Sequence, residues 1–86
     1  MATALTRALE AARLRSTLPA APVRRRIREH AGVPQAAIAG ALGVDRATVS
    51  RWETGSRMPH GPLLRRYLTL LDRLAAVDEG HGHHAE

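Results

Sequence analysis

From Asp45 to Thr54 the chain reads D-R-A-T-V-S-R-W-E-T, and the chemistry such a stretch offers is recognition of a polyanion. If it is a helix, its period puts Val49 and Trp52 on one side. Arg46, Ala47, Ser50, Arg51 and Thr54 fall on the other, the side that a nucleic-acid groove would meet. A guanidinium at Arg46 or Arg51 can pair bidentately with a guanine edge, worth about 1–3 kcal/mol of discrimination. The methyl group of Ala47 suits a thymine methyl. Glu53 would be repelled by phosphates, so an internal cation is its expected companion.

Two helices are needed to hold that face outward, and residues 35–54 have the composition for them. Ile38 and Leu42 stand one turn apart on the inner side of the first. Ala39 lies where the helices cross, and a larger side chain would push them apart. Gly43 supplies the positive φ that ends the first helix. Val44 tucks inward, and Asp45 precedes the second helix, where it can cap the free N–H groups and complement the dipole. Val49 and Trp52 complete the shared core. The pattern agrees with a helix-turn-helix, two helices joined by a short turn containing Gly. An ordinary helical hairpin seldom needs Ala, Gly and these apolar residues at such offsets together.

The string R-E-H-A-G-V-P-Q-A-A-I-A-G-A-L-G-V-D-R-A-T-V-S-R-W-E-T-G-S-R-M-P, Arg28 to Pro59, resembles the lambda-repressor-like, Xre-type (Cro/C1-type) helix-turn-helix module. Gln35, Ala39, Gly43, Val49, Glu53, Gly55 and Pro59 fall in register with it. With the flanking helices the resemblance covers roughly residues 23–75. It implies a compact bundle of four or five helices that acts in transcription, as in phage repressors, Cro proteins and bacterial regulators and antitoxins. It further implies that Gln35 touches the DNA backbone and that Arg46, Ala47 and Arg51 reach base edges. Thr48 would lie near a phosphate or a thymine methyl, and Thr54, Ser56 and Arg57 near the backbone. Arg28 and Glu53 match a pair that ties the preceding helix to the recognition helix. Two positions depart from the pattern. Pro34 stands where a Ser, Thr or Asn is usual, which removes a polar side chain from a phosphate. Arg24 stands where an apolar residue is usual, and Val23 is expected to take over its core role.

Charge supports the same partner. Thirteen bases, all Arg, face eight acids in 86 residues, for a formal charge of +5. Residues 1–77 hold all the Arg against Glu10, Glu29, Asp45, Glu53 and Asp72, which makes that body +8, a balance suited to a polyanion. Arg24, Arg25 and Arg26 crowd the start of a helix, where the dipole disfavours cations, and phosphate is the expected compensation. Arg65 and Arg66 fit either a flank of the DNA or open solvent.

Around this motif, residues 3–17 carry Leu5, Ala8, Leu9 and Ala12 at helical spacing, with Thr3 as the expected cap. Pro19 and Pro22 break that helix. A second helix is expected from Val23 to Ala31, closed by Gly32. A last one is expected from Pro62 to Val77, with Leu63, Leu64, Tyr67, Leu68, Leu71, Leu74 and Ala75 on its apolar face. No run of β-branched residues is long enough for a strand, so the fold class is all-α. The expected organisation is an N-terminal arm over 1–18, the helix-turn-helix domain over 19–77 and a disordered acidic and histidine-bearing tail over 78–86. His81, His83 and His84 lie close enough together to ligate a metal, but a tail without a rigid element does not fix their geometry, so no metal site is expected. Without Cys there are neither disulfides nor thiolate sites. No nucleophile, base and orienter assemble from local motifs, so neither an enzyme nor a cofactor is expected. No apolar run approaches the ~20 residues of a membrane span, and Arg7, Glu10, Arg13 and Arg15 interrupt any signal-like stretch, so a cytoplasmic protein without a membrane partner is expected. The expected partner is double-stranded DNA, entered at the major groove. A homodimer is a second candidate partner, and a toxin is a third, should the chain be an antitoxin. The remaining alternative is an interaction module that has lost DNA binding, which would call for an acidic or apolar face at 46–54.

Overall fold

The computed structural model describes the backbone of residues 3–84 and the side chains of residues 3–77. It contains five helices, α1 (Ala4–Thr17), α2 (Ala21–His30), α3 (Gln35–Leu42), α4 (Arg46–Thr54) and α5 (Gly61–His84), and no strand among the described residues. The all-α expectation therefore holds.

Local chemistry explains most boundaries. Thr3 caps α1 by accepting the Thr6 N–H at 3.1 Å. α2 begins at Ala21, two residues before the expected start, because Pro22 falls in its first turn, where a missing N–H is harmless. Gly43 ends α3 with φ 71°, and the reversed chain brings the Val44 N–H to the Ala39 carbonyl at 3.0 Å. Asp45 Oδ1 opens α4 by accepting the Thr48 N–H at 2.8 Å. Gly55 closes α4 in the left-handed region with φ 82°. α5 continues over residues 78–84, beyond the expected boundary at Val77. The expectations for the tail's side chains, including His81, His83 and His84, lie outside the described residues.

Ile38, Ala39 and Leu42 of α3, Val49 and Trp52 of α4, and Tyr67, Leu71 and Leu74 of α5 make one core, with Ile27 and Ala31 of α2 packed against it. Leu64 is also buried. Val49 has no exposed surface at all. The rings of Trp52 and Tyr67 lie 4.8 Å apart, tilted by 42°, an arrangement favourable for aromatic pairs. The two aromatic side chains of the chain thus meet at the centre of the bundle.

One packing expectation fails, and α1 packs by a stripe other than Leu5, Ala8, Leu9 and Ala12. Leu5 is 69% and Leu9 53% exposed, while Ala11 and Leu14 face the start of α5 at Gly61, Pro62 and Leu64. The helix is anchored through its C-terminal half, where Leu18 joins the core margin, and that anchor selects the 11/14/18 stripe. The expectation that fails concerns Val23, which does not replace the residue at position 24 in the core. Arg24 itself is buried, at 4% exposure.

Candidate nucleic-acid interface

The outward face of α4 is built by subtraction. Val49, Trp52 and Glu53 turn into the bundle, so Arg46, Ala47 and Arg51 are left exposed and Ser50 half-buried. Two of these positions carry a positive charge. Arg57, just after α4, is exposed as well, and its N–H donates to the Arg51 carbonyl at 3.3 Å. Thr54 and Ser56 are exposed, with their hydroxyl oxygens 3.2 Å apart.

Behind this face, three helices meet at one carboxylate. Arg28 of α2 donates through Nε to Glu53 Oε2 at 2.6 Å and through a second nitrogen to Oε1 at 3.0 Å. Its remaining nitrogen reaches the Val33 carbonyl at 2.9 Å. Gln35, the first residue of α3, donates to Glu53 Oε1 at 3.0 Å. Burial opposes the charged form of Glu53, but the hydrogen bonds from Arg28 and Gln35 outweigh it and hold the carboxyl below the usual carboxylate range. The same hydrogen bond is the main reason that the Arg28 guanidinium holds its proton more tightly than usual. The negative charge of Glu53 is thereby neutralised internally and does not oppose an anionic partner.

Gln35 also accepts from Arg46 at 3.2 Å through its side-chain oxygen. The residue expected at the DNA backbone and a residue expected at base edges are thus joined before any partner arrives. Arg25, Arg28, Gln35, Ser50, Glu53 and Thr54 line a cleft of about 350 Å³ between α2, α3 and α4. Thr48 is half-buried, and its hydroxyl donates to Asp45 Oδ1 at 2.6 Å, so its one proton is committed to the helix start. That bond is the first cause, and the Thr48 N–H the second, of an Asp45 carboxyl held below its ordinary range.

The arginine run at 24–26 divides three ways. Arg26 is exposed, and Arg25 is exposed and pairs with Glu29 at 3.0 Å. Arg24 is not available to a phosphate. Its guanidinium donates to the Pro19 carbonyl at 2.7 Å and to the Trp52 carbonyl at 2.5 Å. The compensation expected from phosphate comes instead from two backbone oxygens. A signal for this burial exists in the sequence, because Arg24, Ile27, Arg28 and Ala31 share one helical face. Arg65 and Arg66 lie away from α4. Arg66 donates to the Ala41 carbonyl at 3.0 Å, and with Arg65 and Arg73 it rims a groove between α3 and α5.

Residues 25–79 match the helix-turn-helix domain family, a stretch that contains α3, the turn, α4 and most of α5. The chain belongs to the helix-turn-helix domain family. No curated protein and no solved structure gives a significant match. In this helix-turn-helix, α3 and α4 are the paired helices and Gly43 to Asp45 the turn. The family match supports DNA as the partner of the helix-turn-helix, and the exposed face of α4 is the surface that such a domain presents. No helix among the described residues is long and apolar enough to cross a membrane.

Proposed function

We propose that the protein is a sequence-specific transcriptional regulator of the lambda-repressor-like, Xre type, a small repressor of phage or bacterial kind that acts by occupying its operator. α4 enters the major groove, Arg46, Ala47, Ser50 and Arg51 read base edges, and Gln35, Thr54, Ser56, Arg57, Arg25 and Arg26 contact the backbone. The observation that carries this reading is the sidedness of α4. Val49, Trp52 and Glu53 are buried, whereas Arg46, Ala47 and Arg51 share the exposed side. An acidic or apolar outer face, which a domain devoted only to protein contacts would need, is not what α4 presents.

Selection of bound sequences from random duplexes tests the proposal. A consensus containing guanines within one half-site is the expected result, and failure to enrich any sequence over the starting pool would overturn it. Two half-sites about 34–36 Å apart would assign a symmetric dimer, and a single asymmetric site a monomer.

A second reading keeps DNA binding and adds a protein partner, as an autorepressing antitoxin would. The exposure of Leu5 and Leu9 on α1 favours it. The apolar face of α5 is taken up by the core, so α1 is the better candidate for a contact with a toxin or a second copy. Co-purification of a stoichiometric partner from the native host, lost on Leu5→Glu, distinguishes this reading from a lone repressor.

A further inference from the structure

We infer that Arg24 is a positioning residue for DNA recognition: its buried guanidinium fixes the last turn of α4 to the first turns of α2 and to the α1–α2 linker. The inference rests on reading α4 as the helix that enters the groove.

Trp52 is among the last residues of α4, whose carbonyls find no acceptor role within the helix and lie at the negative end of its dipole. The Arg24 guanidinium donates to that carbonyl, 28 residues away in the chain, and to Pro19 in the linker. A planar fork can serve both oxygens at once, which a single ammonium point charge does less well. The start of α2 lies beside the end of α4: a Cβ placed on Gly55 would meet Ala21 Cβ at 3.6 Å, an ordinary van der Waals distance. Glu53, the buried acid nearby, is already held by Arg28 and Gln35, and no described carboxylate forms an ion pair with Arg24. Its Nε makes no hydrogen bond among the described residues, and the guanidinium lies close to the buried Tyr67 hydroxyl.

A cation so incompletely matched is a poor device for stability alone, because a well-packed apolar side chain often serves a buried ionic position as well or better. What an apolar side chain lacks is direction. The charge-assisted hydrogen bond to the Trp52 carbonyl, from a guanidinium braced on the Pro19 carbonyl of the linker, sets the end of α4 against α2, and base reading depends on holding Arg46 and Arg51 to within a fraction of an ångström. Arg24 therefore acts on specificity through α4, without touching DNA.

The test compares the full chain with Arg24→Leu, Arg24→Met and Arg24→Lys. Affinity for the selected duplex and for a scrambled duplex is measured across salt, alongside thermal melting and amide hydrogen exchange at Thr54, Gly55 and Ser56. For Leu and Met the expected result is unchanged or raised melting and faster exchange at the end of α4. Specific affinity should fall about tenfold, with scrambled-duplex affinity and salt slope unchanged. Lys should fold and recover the loss only in part; should the apolar variants fail to fold, the Lys variant decides. An unchanged specific-to-scrambled ratio in a folded variant would overturn the inference. So would an equal loss on both duplexes with a salt slope reduced by about one, the signature of a phosphate contact. If the wild type prefers no duplex, the recognition reading fails on its own. The exchange comparison then still decides whether Arg24 holds α4, and unaltered exchange would overturn that as well.

Discussion

Gln35 Nε2 donates to Glu53 Oε1 at 3.0 Å, across the turn that separates α3 from α4. Because Arg28 grips the same carboxylate with two nitrogens, α2, α3 and α4 converge on a single buried charge. Glu53 is 3% and Arg28 12% exposed in their side chains, so solvent screens this junction little.

Glu53→Gln should lower stability by about 3 kcal/mol, the low end for breaking a buried ion pair, since Arg28 keeps the Val33 carbonyl. The pH dependence follows from the depressed carboxyl. Its contribution is complete above the unfolded value near 4.5 and is lost as pH falls through the lower folded value. Acid unfolding followed by circular dichroism should show a steep wild-type limb below that pH and a flatter one in the variant. Parallel limbs would remove Glu53 from the acid response.

Ala39 is 4% exposed and belongs to the core shared by α3 and α4. Ala39→Leu should therefore overpack the helix crossing and lower stability by about 1–3 kcal/mol. For a domain of this size each kcal/mol shifts the melting midpoint by roughly 4–8 °C. An unchanged midpoint would show that the crossing has room that the packing does not display.

Arg51 is exposed on α4 and its side chain has no hydrogen-bond partner among the described residues. Arg51→Ala should weaken binding to the selected duplex by about 1–3 kcal/mol and leave scrambled-duplex binding nearly unchanged. Equal losses on the two duplexes, measured by fluorescence anisotropy, would move Arg51 from base reading to backbone contact.

Tyr67 is the only tyrosine of the chain, so its titration can be followed by ultraviolet absorbance without overlap. Burial pushes its hydroxyl up to about 12 from an ordinary 10.0. With the folded value raised, the stability it contributes is intact below pH 10 and declines as pH rises towards 12, where the unfolded chain has already released the proton. A phenolate appearing near pH 10 while the helical signal is intact would contradict this burial.

The helix-turn-helix was legible in the residues because its determinants act over a few positions. Gly43 can take a positive φ, Asp45 reaches an N–H three residues on, and the spacing of Val49 and Trp52 decides which side of α4 is left for arginine. That Glu53 needs an internal cation was also accessible, since an acid on a helix meant for phosphate is otherwise repelled; that the cation is Arg28 was implied by the family resemblance. Tertiary structure decided what period and charge leave undetermined. Arg24 and Arg26 are the same residue type two positions apart, yet one is buried and the other exposed, because only Arg24 lies on the side where the carbonyls of Pro19 and Trp52 converge. α1 offers two apolar stripes, and the one that packs was chosen by where Leu18 meets the core. Local sequence sets which conformation a segment adopts; whether a given face is buried depends on acceptors and surfaces brought to it from distant parts of the chain.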